Sequence, residues 1–230
     1  MTDIRHFFAS VLTGLSHTSP SEVVSVVLGL LYSVLAVKRS RWCWVAGGAG
    51  SALAIYVNAI AHLPMQAALQ VYYVVISVHG FWYWTRNQGE VTRTVSVWPL
   101  RYHLAVSGLT VVISALTAHW LAAETAAAWP FLDSLTTWGS LFATWLTARV
   151  KLENWLYWLA IDGTLMVLYV EQGLFFFALL SLVYLGVSAV GFAKWLKTYR
   201  NPVPVVPCRP QGPQGPQGPQ APQASRAGMP

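Results

Sequence analysis

The sequence predicts an all-α membrane protein of seven transmembrane helices, arranged as two parallel three-helix repeats on either side of a connector helix. Three observations carry that prediction. The 230 residues are 55% hydrophobic and only 10% charged, with a mean hydropathy of +0.49, far from the quarter-charged mixture of a soluble domain. Apolar stretches long enough to cross a hydrocarbon core of about 30 Å recur seven times along the chain. The chain also matches itself without a gap at an offset of 111 residues, which places Gly80 on Gly191.

In chain order the expected spans are 23–37, 42–60, 67–84, 102–121, 131–148, 152–170 and 174–195. They divide the chain into a leader (1–19), a first three-helix repeat with its loop (20–101), a connector (102–122), a second repeat (123–198) and a tail (199–230). In the leader, Ile4, Phe7, Phe8, Val11, Leu12 and Leu15 share one helical face, which predicts either a helix lying on the outer interface or an unstructured leader. The first span opens at Ser19-Pro20-Ser21-Glu22, a capping-box pattern with proline at the first helical position. Span two carries Gly47, Gly48, Gly50 and Ser51, small residues that let helices approach closely. No strand precedes them and no lysine follows, so they do not form a phosphate loop. The tail, rich in Pro, Gly and Gln, has too little apolar mass to fold; its GPQ repeats predict an extended, polyproline-like appendage.

The connecting segments alternate in charge. Lys38, Arg39 and Arg41 follow span one, Arg86, Arg93 and Arg101 span three, and Arg149 and Lys151 span five. Lys194, Lys197, Arg200, Arg209 and Arg226 close or follow span seven, so these segments hold 13 of the 14 basic residues. The positive-inside rule makes them cytoplasmic, with the N-terminus outside and the C-terminus inside. In this setting a net charge of +6 reflects orientation and gives no indication of a nucleic-acid partner.

The internal match pairs HGFWYWTR (79–86) with VGFAKWLK (190–197), and also Trp44 with Trp155, Tyr73 with Tyr184 and Lys38 with Arg149. Three spans reverse the chain direction and one extra crossing restores it. The two halves are therefore expected to be parallel repeats about an axis along the membrane normal, as in SWEET-type transporters.

Within the spans, Asp162 lies near the middle of span six, where a carboxylate costs about 3 kcal/mol or more on insertion scales. Trp155, Trp158 and Asp162 stand at i, i+3 and i+7, and Tyr169 continues the stripe at i+14. Flat rings beside a negative charge suit an aromatic or cationic ligand. Gln70 in span three adds an amide able to donate and accept, although interhelical bonding is an equally good use for it. Asn58, His62 and Gln66 mark the outer entrance, His79 an interface, and Glu153 and Asn154 the cytoplasmic start of span six. Cys43 and Cys208 build neither a disulfide framework nor a metal site. With no nucleophile elbow, Walker, HExxH or CxxC pattern, neither an enzyme nor a cofactor is expected.

The segment from Phe131 to Asp162 has an Asp opening span five, then a basic residue, ENW and WxxWxxxD; LQVYYVVISVHGFWYW (69–84) lies in the first half. Together these resemble the PnuC family of nicotinamide riboside transporters over about residues 21 to 198. The resemblance implies a SWEET-like facilitative carrier of the bacterial inner membrane, driven by phosphorylation of the vitamin after entry. Its partners would be a small-molecule substrate and the lipid bilayer, with the number of copies per assembly left open. It also implies that Trp155, Trp158 and Asp162 hold substrate, with Gln70 in contact. Relatives carry thiamine or riboflavin, which are alternative cargoes. A seven-helix sensor or scaffold signalling through its tail is the alternative from another class.

Overall fold

A computed structural model describes residues 20–60, 64–87, 94–124 and 129–202. Among these are seven α-helices: α1 (Pro20–Val37), α2 (Trp42–Ile60), α3 (Pro64–Arg86), α4 (Leu100–Glu124), α5 (Pro130–Ala148), α6 (Asn154–Glu171) and α7 (Phe175–Arg200). All seven expected spans are helical. The leader (1–19), the Ser19–Glu22 capping box, His62, the side chain of Gln66 and the tail from 203 onward lie outside the described residues or side chains. The only strand-like pairing among the described residues is a parallel bridge between Ser96 and Lys151.

Local chemistry sets the helix boundaries. Pro20, Pro64 and Pro130 stand at helix starts, where their missing N–H is not needed and φ is already helical. α6 ends in a Schellman turn: the Leu174 N–H donates to the Tyr169 carbonyl (2.8 Å), the Gly173 N–H to that of Val170 (3.1 Å), and Gly173 takes φ +72°, as this cap requires. The turns after α1 and α5 repeat that pattern without glycine. Arg39 has φ 53° and Val150 φ 54°, left-handed conformations that cost a β-branched residue in particular.

Those two turns are 111 residues apart, and their bonds correspond one for one. Ser40 N–H reaches the Leu35 carbonyl and Lys151 N–H that of Leu146, each at 3.0 Å. The indoles follow the same register. Trp44 meets Trp84 edge-on at 5.5 Å and Trp155 meets Trp195 edge-on at 5.4 Å. A Cβ on Gly80 would come within 2.4 Å of the Trp44 ring, and one on Gly191 within 2.6 Å of Trp155. Trp84 Nε1 donates across to the Ala148 carbonyl (2.9 Å), and Trp195 Nε1 to that of Val37 (3.2 Å). Gly50 faces Leu28 while Gly139 faces Ile161; at the 111-residue offset the large and small members of the pair are exchanged. These contacts bury Trp44, Trp84, Trp155 and Trp195 in one apolar cluster at the basic end of the molecule.

Consecutive helices pack in order through α1–α2–α3, α4–α5–α6 and α6–α7, while α1 against α7 and α3 against α5 join the two groups. The outer faces are oily: Val71, Val75 and Val78 on α3, Leu104, Val112 and Leu116 on α4, and Leu182 and Val190 on α7 are all exposed. Contiguous apolar surface of this extent belongs against lipid. By length and mean hydropathy alone, two helices among the described residues qualify as continuous spans, Leu100–Ala123 (1.7) and Phe175–Arg200 (2.2). The other five helices are 18 to 23 residues long.

Asn154 shows how the α5–α6 turn is held. It is fully buried, its Oδ1 accepts from Thr147 Oγ1 (3.1 Å) and its Nδ2 donates to the Lys151 carbonyl. Replacing Asn154 by alanine is expected to lower stability by about 1–3 kcal/mol, because buried partners lose their bonds. The midpoint of thermal unfolding in detergent measures this.

Candidate functional site

Between the two groups of helices lies a cavity of about 350 Å³, lined by residues from every helix except α4. Trp155, Trp158, Asp162 and Gln70 all line it, so the stripe on α6 and the amide on α3 come together. Tyr169 does not reach it; its ring packs 5.5 Å from Phe177, two helical turns further along α6. Asn154 and Glu153 hold structure outside the cavity. Glu153 accepts from the Trp98 N–H (2.6 Å) and pairs with His103 (3.2 Å). His79 stacks on Tyr83.

Asp162 is 7% exposed, and its one hydrogen-bond contact is a long one, Ser188 Oγ to Oδ2 at 3.5 Å. The carboxylate is thus turned into the cavity, with most of its acceptor capacity uncommitted, and no cation pairs with it among the described residues. The rings play different parts. Trp155 is packed against Gly191 and almost wholly buried, so it offers the cavity little of its ring. Its Nε1, like that of Trp44, is buried with no hydrogen-bond partner in the protein. Buried donors of this kind call for an acceptor. Trp158 is only half-buried, so it has ring surface to give.

Several lining residues were missed by the sequence reading. Tyr32, Tyr73, Tyr184, Ser51, Thr144 and Ser188 all face the cavity. The 111-residue register contained the signal, since Ser51 corresponds to Asp162, Gly47 to Trp158, Ser77 to Ser188 and Tyr73 to Tyr184. From the sequence, the small residues of α2 are expected only to let helices pack closely. They do pack, Gly48 near Ser77 and Gly47 against Tyr32, but Gly47, Gly50 and Ser51 also form one wall of the cavity. The two halves therefore contribute unequally: one supplies an indole and a carboxylate where the other supplies no side chain and a hydroxyl. Among the described residues no three His, Cys, Asp or Glu side chains cluster as metal ligands.

An apolar-walled chamber with convergent donors and one carboxylate can hold a small, flat, polar-edged molecule. Comparison with known proteins agrees. A family model described as nicotinamide mononucleotide transporter matches residues 19–197. The chain belongs to that family. The riboflavin/roseoflavin transporter RibM of Streptomyces davaonensis is 26% identical over 198 residues, covering 83% of this chain and 91% of RibM. The crystal structure of the vitamin B3 transporter PnuC superposes with a TM-score of 0.65 at 22% identity, covering 87% of this chain and 91% of that one. The chain is thus a PnuC-family transporter, helical through all seven described elements and a multi-pass membrane protein. The sensor alternative has no support in these comparisons.

Proposed function

We propose that the protein carries nicotinamide riboside across the bacterial inner membrane by facilitated diffusion, with Trp155, Trp158, Asp162 and Gln70 as its substrate contacts. The observation that carries this reading is the uncommitted carboxylate of Asp162, facing a ring-walled cavity. A cationic pyridinium gains from both the charge and the π-faces, and ribose hydroxyls can donate to the carboxylate. Gln70 matches the carboxamide in the same chamber. Tyr169, outside the chamber, would meet cargo only on its way in or out. The paired turns and indoles support a SWEET-like arrangement in which α1–α3 and α5–α7 are parallel repeats joined by α4, rocking about the cavity. All seven helices then cross the bilayer, and the basic ends of the helices lie in the cytoplasm. Removal of the product by phosphorylation drives net uptake without an ion gradient.

The likeness to RibM favours a second reading, riboflavin, whose larger neutral ring system would stack on the same walls. Thermal unfolding of the purified chain with nicotinamide riboside, thiamine and riboflavin separates the readings. A ligand at 100 times its Kd stabilises by about 2.7 kcal/mol. Nicotinamide riboside is expected to give the largest shift; a shift with riboflavin alone would transfer the assignment to the second reading.

A further inference from the structure

A second cavity, of about 380 Å³, lies at the basic end and, among the described residues, shares no lining residue with the first. It is built around the turn between α5 and α6, and Arg149, Lys151, Ser96, Tyr83, Trp98 and Trp145 line it. The guanidinium of Arg149 stands 5.4 Å from the centre of the Tyr83 ring and 5.7 Å from that of Trp145. Lys151 Nζ donates to Ser96 Oγ at 2.9 Å. Neither cation has a carboxylate partner among the described residues. The acid nearest in sequence, Glu153, is instead committed to the Trp98 N–H and to His103. Two cations thus share a cavity that, among the described residues, contains no lining carboxylate.

The floor of this cavity is fixed by backbone. Ser96 N–H donates to the Val150 carbonyl (3.2 Å) and Leu152 N–H to that of Ser96 (2.9 Å), the parallel bridge described above. The corresponding turn after α1 has no such bridge among the described residues. Lys and Arg are common at membrane-protein ends, but that bias does not supply a concave, ring-walled chamber with a bridged floor. Arg matches phosphate oxygens through its planar fork and Lys through point charge, and the flanking rings can cover an attached base or glycerol backbone.

We infer that this cavity binds the phosphate ester of an organic molecule, with the phosphoryl group between Arg149 and Lys151. The inference stands apart from the identity of the transported cargo. The same chemistry comes from two sources, a soluble ring-bearing monophosphate or the headgroup of an anionic phospholipid. The test uses the full chain, wild type and Arg149→Gln/Lys151→Gln, both positions having room for glutamine because Arg149 is exposed and Lys151 half-buried. Thermal unfolding in detergent is followed against adenosine 5′-monophosphate and against adenosine. In parallel, unfolding is followed in nanodiscs of pure phosphatidylcholine and of phosphatidylcholine with phosphatidylglycerol. A saturable shift with the monophosphate and not with adenosine, weakened about tenfold or more in the double variant, identifies a soluble ester. A shift confined to the phosphatidylglycerol discs and lost in the double variant identifies the lipid. Equal shifts with adenosine and its monophosphate, no shift from either phosphate source, or shifts undiminished in the double variant would overturn the inference.

Discussion

Uptake of nicotinamide riboside by vesicles containing Asp162→Ala protein is expected to fall to background, while the variant still purifies as a folded helical protein. The carboxylate is buried, faces the cavity, and is held in the native structure only by a 3.5 Å contact from Ser188. Removing it therefore orphans little in the protein. What is lost is the interaction with cargo. A hydrogen bond to a charged group contributes about 1.5–3 kcal/mol, so the expected loss of affinity is on the order of 10- to 100-fold. Asp162→Asn should recover part of the hydrogen bonding and none of the attraction for a cation. If cargo is neutral, as riboflavin is, Asn and Asp should serve nearly alike. Undiminished uptake by Asp162→Ala would show that the site lies elsewhere.

The largest stability losses are expected from single methyl groups. In Gly80→Ala and Gly191→Ala, the new Cβ would fall 2.4 Å from the Trp44 ring and 2.6 Å from the Trp155 ring, closer than real carbon contacts come. Both rings are almost wholly buried, at 1% and 3% exposure, and edge-packed on Trp84 and Trp195. Neither can swing aside without disturbing its neighbour. Overpacking of this kind costs about 1–3 kcal/mol, occasionally more. Gly108→Ala and Gly186→Ala provide the contrast, because nothing lies within 4 Å of either new Cβ. There the gain in helix propensity, up to about 1 kcal/mol, should raise the unfolding midpoint. Opposite signs for one chemical change would locate the effect in the indole contacts. Equal effects at all four positions would remove that explanation.

Much of this was legible in the sequence because a bilayer imposes strong, simple constraints. Runs of apolar residues broken by Pro, Gly and basic turns located all seven helices, and a mid-span acid pointed to the cavity. The helix period put Trp155, Trp158 and Asp162 on one stripe, and all three line the chamber. Periodicity continued that stripe to Tyr169, but a straight helix passes through a cavity of finite length, and Tyr169 is beyond its end, against Phe177. The first half was harder to read. Gly47, Gly50 and Ser51 have little chemistry of their own, and a wall formed by absent side chains leaves no motif. Tyr32 and Tyr184 look like ordinary aromatic residues of a span until tertiary packing turns them inward. Nor could the sequence show that the left-handed Val150 turn is bridged to Ser96, since that pairing joins residues far apart in the chain.

The crossed indole bonds, Trp84 to Ala148 and Trp195 to Val37, fasten each half of the molecule to the last turn of the other half's first helix. In the rocking carrier proposed above, they would act as a two-point seal at a single end of the chamber. A carrier that alternates its access must release both points together, because each alone still pins the halves. Loading from the opposite end would leave that seal intact, whereas discharge through the basic end would require it to break. On that proposal the return of the empty protein, and not only the passage of cargo, would be governed by two tryptophan side chains that do not line the chamber.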